Sequence, residues 1–411
     1  MSRPKLVSPF APLQLTLEDV ERLEQLAQHF VANAVAQYEE YLRVDERKVD
    51  ESVWKFVKQR ENVRAYVERK RPKPPSQESV NRTARASSST ILTTSQQSDM
   101  PVMLIVGSTT GTLDDSVYGM MEHSAEDARI KTSYVRNNVS DVALLATLVE
   151  PTQEDPFRSV TIKWIEIEQA WLAKPFMKKC DFVFLEISGV TRLSTGERAG
   201  YHLMHSVHFP QTHALPTHSR GNISLAGIGS QVPGSHEIDV CLRGILDPGG
   251  HAVRILVVNA LVVSLMSLWK YVDCGQSKKL KWLLRRSYDN QQKEPGASNA
   301  AAHTQTQPLC CSMCTKAPSV LSRSVLKDSR KRYCSLCAQY VCSSCRIKKT
   351  LSHLDSATGA LKQRAFAFCT ACIHEAVHLS AFAVAQHEVA SRSSLRTGLD
   401  DLFSTSSSGN S

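Results

Sequence analysis

Apolar residues first recur at steps of three and four between residues 16 and 42. There Val20, Leu23, Ala27, Phe30, Val31, Ala34, Tyr38, Tyr41 and Leu42 fall on one face of a long helix. Thr16, three residues before Asp19, is placed to cap its start. Two short runs, Val53 to Gln59 and Asn62 to Val67, read as the strands of a hairpin. Residues 70–99 are rich in Ser, Thr and Pro and too polar to offset the entropy cost of ordering, which predicts a disordered insertion. From Val102, PVMLIVGST reads as a strand, and GTLDDSVYGMMEHSAEDARIKTSYV as two short helices. Strand-like runs follow at Val142 to Val149, Ser159 to Ile167, Phe182 to Ile187, Tyr201 to Phe209, Asn222 to Ile228 and Glu237 to Ile245. The turn Asp247-Pro248-Gly249-Gly250 stops this series. Residues from Val253 to Tyr271 are then apolar nearly all round, which predicts a helix packed against the sheet. The expected class is α+β: a long helix, an antiparallel sheet of seven or more strands, and a long helix gripping that sheet around a cavity.

A length of 411 residues suggests about two or three domains. With 42% hydrophobic and 22% charged residues, the bulk of the chain is neither disordered nor fibrous. The start, MSRPKLVSPFAPLQL, has no positive region followed by an apolar core, so no secretory signal is expected. The longest apolar run, Ile255 to Trp269, contains Asn259 and Ser264 and falls short of the about 20 residues of a membrane span. A reducing, cytoplasmic setting follows as an expectation, and there clustered cysteines favour metal over disulfides.

Nine of the twelve cysteines lie between residues 310 and 372. Eight form four Cys-x2-Cys pairs: Cys311 with Cys314, Cys334 with Cys337, Cys342 with Cys345, and Cys369 with Cys372. Such a pair presents two thiolates to one ion, and two pairs close a tetrahedral zinc site, so two structural Zn²⁺ per chain are expected. Only four residues separate Cys337 from Cys342, while the flanking loops are long. That favours an interleaved arrangement, with Cys311, Cys314, Cys342 and Cys345 on one ion and Cys334, Cys337, Cys369 and Cys372 on the other. Sequential pairing is the alternative. Cys310 is the spare, and a closed site leaves no position at which to activate water.

The domain boundaries expected from these patterns are a body at 15–280, a polar linker at 281–308, the finger at 309–375, a helix at 376–390 and a mobile tail at 391–411. Lys and Arg number 49 against 40 Asp and Glu, a net charge of +9. Between residues 310 and 372 there are eleven Lys and Arg against Asp328 and Asp355, so the whole excess lies on the finger and the remainder is neutral. An anionic partner is expected there.

The order of elements, with WKFVKQRENVRAYVERK early, LLATLVEPTQEDPFRSVTIKW in the middle and LDPGG before the last helix, resembles the START lipid-transfer domains. In particular it is similar to the START-like domains that oomycete proteins place ahead of a FYVE-type zinc finger. The resemblance covers about residues 15 to 275 and implies a helix-grip cavity able to hold one apolar lipid, although side chains filling it are the alternative. RKRYCSLCAQYVCSSC, residues 330 to 345, resembles the FYVE-type finger, which implies recognition of phosphatidylinositol 3-phosphate on endosomal membranes. Arg330 and Lys331 match the basic stretch of that family, Arg332 and Tyr333 replace its two histidines, Ser335 replaces an arginine and Ala338 a glycine. The Trp-x-x-Asp that usually precedes the first pair is absent, and Phe366-Ala367-Phe368 stands where the family has Arg-Val, with Arg364 close by. The resemblance therefore implies Arg330, Lys331, Arg332 and Arg364 as lipid-head ligands and Val325 and Leu326 as shallowly inserting residues, with weaker and less selective binding than the family norm.

The expected function is a non-enzymatic adaptor, peripheral on endosomal or other internal membranes. A RING-like ubiquitin ligase is the enzymatic alternative, although RING modules usually place His among the middle ligands and all eight here are Cys. A protein- or nucleic-acid-binding zinc module is the other alternative, although nucleic acid is not expected as a partner, since only Tyr333 interrupts the basic run with a stacking ring. No Gly-x-Ser-x-Gly, His-Glu-x-x-His or phosphate-cradling glycine loop occurs. His205, His208 and His213 lie close together without a carboxylate at metal spacing and read as core or surface histidines.

Overall fold

The computed structural model describes residues 8–69, 101–135, 138–167, 179–249, 254–293, 310–317, 332–355 and 357–391. The insertion expected at 70–99, the tail from 392, and Val325, Leu326, Arg330 and Lys331 lie outside the described residues. The chain divides into two compact units, one over Val7–Val272 and one dominated by Asp273–Ser411.

In the first unit, helix α1 (Leu17–Arg43) starts at a capping box: the Thr16 hydroxyl accepts the Asp19 N–H at 3.1 Å, and the Asp19 carboxylate accepts the Thr16 N–H at 3.1 Å. Its buried residues Leu23, Ala27, Phe30, Ala34, Tyr38 and Tyr41 form one stripe. Burial of each large member contributes about 1.5–3 kcal/mol. The strands are β1 (Trp54–Arg60), β2 (Val63–Glu68), β3 (Met103–Thr110), β4 (Val139–Val149), β5 (Ser159–Ile167), β6 (Lys179–Arg192), β7 (Arg198–Ser206), β8 (His218–Arg220), β9 (Asn222–Gln231) and β10 (Glu237–Asp247). They make one ten-stranded sheet in the order β1-β2-β3-β10-β9-β7-β6-β5-β4, antiparallel throughout except that short β8 runs parallel to β6. Between β3 and β4 come α2 (Leu113–Met120) and α3 (Ala125–Val135).

The two faces of this curved sheet are covered differently. Leu104, Leu145, Val160, Ile162, Trp164, Val183, Leu185, Ile187, Ala199, Tyr201 and Leu203 share a core with α1. The alternate positions face the other helices: a Cβ added to Gly200 would stand 2.6 Å from Val117 and 3.2 Å from Leu113 of α2. Cover on both faces explains why β5, SVTIKWIEI, is buried almost continuously rather than at every second residue. Helix α4 (Arg254–Met266) packs on β1 and β2, and a 3-10 turn, Ser267–Lys270, follows it. The first unit is thus an α+β fold with helices gripping a long antiparallel sheet. No helix among the described residues is long and apolar enough to cross a membrane.

One helix was expected to end near Tyr271, with a linker beginning at 281. Instead α5 runs over Tyr271–Lys293, so residues 281–293 are helical, while 294–308 lie outside the described residues. The physical reason lies in the second unit, where Leu280 and Leu284 of α5 are buried in one cluster with Cys311, Cys334, Val341, Leu351, Phe368, Cys369, Cys372 and Ala376. An antiparallel hairpin follows, β11 (Ile347–Leu354) with β12 (Leu361–Phe368), then α6 (Thr370–His378) and α7 (Ala381–Ser391). The single helix expected at 376–390 is therefore two. Leu379 is extended at φ −60°, ψ 132°, and the Ser380 hydroxyl accepts the Ala383 N–H at 3.2 Å, a side-chain cap that restarts the helix. The ammonium group of Lys279, itself buried, donates to the carbonyls of Val377 and Leu379 at 2.9 Å each, so α5 closes the C-terminal end of α6.

Candidate metal centres and the polar sites around them

The structure gathers the cysteines as two interleaved quartets. Cys311, Cys314, Cys342 and Cys345 bring their sulfurs within 4.8 Å of one another, and so do Cys334, Cys337, Cys369 and Cys372. Within each quartet the two pairs meet: Cys314 Sγ lies 3.7 Å from Cys342 Sγ, and Cys337 Sγ lies 3.9 Å from Cys369 Sγ. A tetrahedron with metal–sulfur bonds of about 2.3 Å has edges of about 3.8 Å, whereas a disulfide bond is about 2.05 Å. The twelve cysteines are free thiols, so the donor set fits two four-sulfur metal centres. Cys310 is exposed and belongs to neither.

Backbone geometry holds the sulfurs in place. In the first two pairs the chain turns back on itself: the Thr315 N–H donates to the Cys311 carbonyl, and the Ala338 N–H to the Cys334 carbonyl, both at 2.9 Å. Backbone N–H groups also point at sulfur, with Cys342 N 3.4 Å from Cys311 Sγ and Cys372 N 3.3 Å from Cys369 Sγ. The last contact places a sulfur at the N-cap of α6, where it accepts an N–H of the first turn. The N–H of Cys345 lowers the Cys342 thiol below its ordinary value. Oriented donors of this kind stabilise charged sulfur ligands.

Each turn exits through a left-handed residue, Thr315 at φ 59° and Ala338 at φ 56°. That conformation costs a non-glycine residue about 1–2 kcal/mol. Ala338→Gly is expected to stabilise the metal-loaded protein by about 1 kcal/mol in denaturant unfolding. An unchanged midpoint would mean the turn relaxes without strain.

Of the residues expected to meet a lipid head, Arg332 and Arg364 are described. Arg332 precedes the Tyr333–Tyr340 bridge, whose rings meet edge to face at 6.1 Å. Arg364 lies opposite Leu351 on the hairpin, its guanidinium 5.3 Å from the centre of the Phe366 ring. Sequence reasoning missed the contribution of α5. His353 is driven down to about 4 by burial first, then by Lys281 of α5, Lys362 and, in the same sense, Arg364, with Asp355 opposing them. Basic groups from the helix and from the hairpin therefore converge on one side of the second unit. The signal is the KKLKWLLRR run of α5, which lies ahead of the finger expected at 309–375.

The first unit holds a second constellation that the sequence did not suggest. Lys163 of β5 bridges Glu122 at 2.5 Å and also Glu186 of β6, while Lys131 of α3 pairs with Glu122 and stands 4.0 Å from Glu186. His202 Nε2 lies 2.7 Å from Glu186, and the Tyr271 hydroxyl 3.4 Å from His202 Nδ1. The four charged side chains are each at most 11% exposed. Two ammonium groups and two carboxylates cancel, so the arrangement ties the helices to the sheet through a closed network. His205 does not join His208 and His213 in a site. Its ring lies 4.3 Å from Phe30 and Nδ1 3.0 Å from the Ser224 hydroxyl, and burial, followed by His208, lowers it to about 4.

No family model matches the chain, and no curated protein matches it. Among solved structures, the human StAR-related lipid transfer protein 5 is similar at 13% identity, covering 62% of this chain and 97% of its own, with a TM-score of 0.39. Human STARD10 is similar at 10% identity, covering 62% of this chain and 83% of its own, with a TM-score of 0.36. A STAR-related lipid transfer protein fragment from Xanthomonas axonopodis is similar at 17% identity, covering 54% of this chain and 99% of its own, with a TM-score of 0.34.

Proposed function

We propose that the chain is a non-enzymatic membrane adaptor. Its C-terminal unit is folded by two structural zinc ions into a FYVE-type module that meets anionic phosphoinositide surfaces, and its START-like body binds a lipid. The observation that carries this reading is the pair of interleaved four-sulfur quartets in the segment holding the chain's entire net positive charge. Zinc fits because thiolates are soft ligands and four of them close the coordination sphere, so the metal supplies folding energy rather than catalysis. Arg332, Arg364, Lys362 and Lys281 supply attraction to phosphate, each worth about 1 kcal/mol near an anionic leaflet. Arg330 and Lys331 join them in this reading, with Val325 and Leu326 inserting. Attachment is peripheral, from the cytoplasmic side of endosomal or other internal membranes.

Flotation of the full chain with vesicles of neutral lipid, alone or with phosphatidylserine or phosphatidylinositol 3-phosphate, tests this. Anionic vesicles should retain the protein, and Arg332→Ala combined with Arg364→Ala should weaken retention by about tenfold or more. Equal retention on neutral vesicles, or none on any, overturns the membrane reading.

A further inference from the structure

A groove of about 510 Å³ runs along α1 on its face of the sheet, lined on the helix by Ala27, Val31 and Val35 and on the strands by Val160, Ile187 and Tyr201. Its volume falls in the range of about 300–1,000 Å³ typical of small-molecule sites. The helix residues bordering it extend from Glu24 to Glu39, about 22 Å at 1.5 Å per residue, the reach of an extended acyl chain.

Two polar groups converge at one level of this groove. Arg158 directly precedes Ser159, which pairs with Ser188 of β6, and the next β6 residue, Gly189, pairs with Tyr201 of β7. Arg158, Gly189 and Tyr201 therefore lie in a row across three neighbouring strands. A Cβ on Gly189 would stand 2.4 Å from the Tyr201 hydroxyl, so the missing side chain is what lets that hydroxyl lie across β6. Tyr201 is 8% exposed and lines the groove, yet neither its hydroxyl nor the Arg158 guanidinium has a hydrogen-bond or ion-pair partner among the described residues. Both groups are thus unengaged and available to a ligand in the groove. Burial raises the Tyr201 hydroxyl above its ordinary value, with Asp155 acting in the same sense and Arg158 opposing, so it is a donor at neutral pH. Glu39, which also lines the groove, is already engaged, accepting the Ser194 N–H and pairing with Arg43 at 2.9 Å. One guanidinium among nearby carboxylates matches one negative charge, and the two charges of a phosphomonoester would be opposed.

We propose that this groove binds a single-chain carboxylate amphiphile of the fatty-acid class, its head held by Arg158 and Tyr201 and its tail laid along Val31 and Val35 toward Glu24. This rests on the lipid-binding reading of the body and gives it a place and a head-group chemistry. Fluorescence titration of the full chain with cis-parinaric acid, and separately with its methyl ester, tests the proposal. The acid should bind at one per chain. Arg158→Ala and Tyr201→Phe should each weaken the acid by about tenfold or more and leave the ester unaffected, and Val35→Trp, which fills the groove, should weaken both. Arg158 is exposed, so its truncation leaves the fold standing, and circular dichroism checks all three variants. If the acid binds and none of the three variants alters it, the groove assignment is overturned while a lipid-binding body stands. If Val35→Trp acts and the other two do not, the head-group assignment is overturned. If the wild-type chain takes up neither probe, the fatty-acid proposal is overturned, and uptake of a two-chain fluorescent phospholipid by the same chain decides separately whether the lipid-binding reading of the body stands.

Discussion

Replacing Cys311 and Cys337 together by serine should strip both metal ions from the chain, whereas replacing Cys311 and Cys345 together should strip one. The difference follows from which sulfurs share a centre. Cys311 and Cys345 belong to one quartet, and Cys311 and Cys337 to different quartets. Were the pairs joined in sequence order, the two double variants would exchange behaviour. Zinc counting by mass spectrometry on the purified variants reads this directly, starting from two per wild-type chain. The energetic effect is the largest available in this protein: structural zinc contributes about 10–16 kcal/mol of apparent binding energy to small modules, comparable with or above the whole stability of a typical domain. Chelation should therefore unfold the C-terminal unit. Its cluster is built around the cysteines themselves, with Cys311, Cys334, Cys369 and Cys372 buried beside Val341, Leu351 and Phe368.

Lys163→Met should destabilise the first unit by about 3–5 kcal/mol, because it leaves the buried carboxylates of Glu122 and Glu186 short of a counter-charge. For a unit of this size that corresponds to a fall in Tm of about 10 °C. Adding Glu186→Gln should recover part of the loss, a coupling that a double-mutant cycle measures. If the single variant melts with the wild type, the network is not a clamp. The pH dependence gives a second readout. Burial pushes the Glu186 carboxyl up, but Lys163 and Lys131 overcome it and hold it well below its ordinary 4.5. A depressed carboxylate contributes stability that is fully present above its unfolded pKa and is lost as pH falls through the folded value. In the wild type this contribution is therefore complete at neutral pH and fades only below 4.5. Without Lys163 the burial penalty prevails, so protonation relieves the variant. Its deficit should be larger at about pH 7 than at about pH 4.

Much of the architecture was legible because it is written locally. The stripe from Leu23 to Tyr41 repeats within one helix, the Thr16–Asp19 box spans three residues, and each Cys-x2-Cys pair spans three. The interleaving of the quartets was legible from loop lengths alone. What was not legible depends on partners far apart in sequence. Lys163 meets Glu122 and Glu186 from positions 41 and 23 residues away, and no periodicity marks such an encounter. Tyr201 and Arg158 become neighbours only through the registers of three strands. Helix α5 was not foreseen because Leu280 and Leu284 find their partners among cysteines at least 27 residues further on.

The Lys279 contact bears on what can be moved from one protein to another. All eight ligands lie between residues 311 and 372, so the finger reads as a cassette that could be excised near 309 and transplanted. The excised piece would still carry every ligand. It would lack Leu280 and Leu284 from the wall around the metal centres, and the last carbonyls of α6 would lose the ammonium group that closes them. The unit that recombination or a chimera must carry to inherit a working finger begins inside the helix, at about Asp273, and not at the first cysteine.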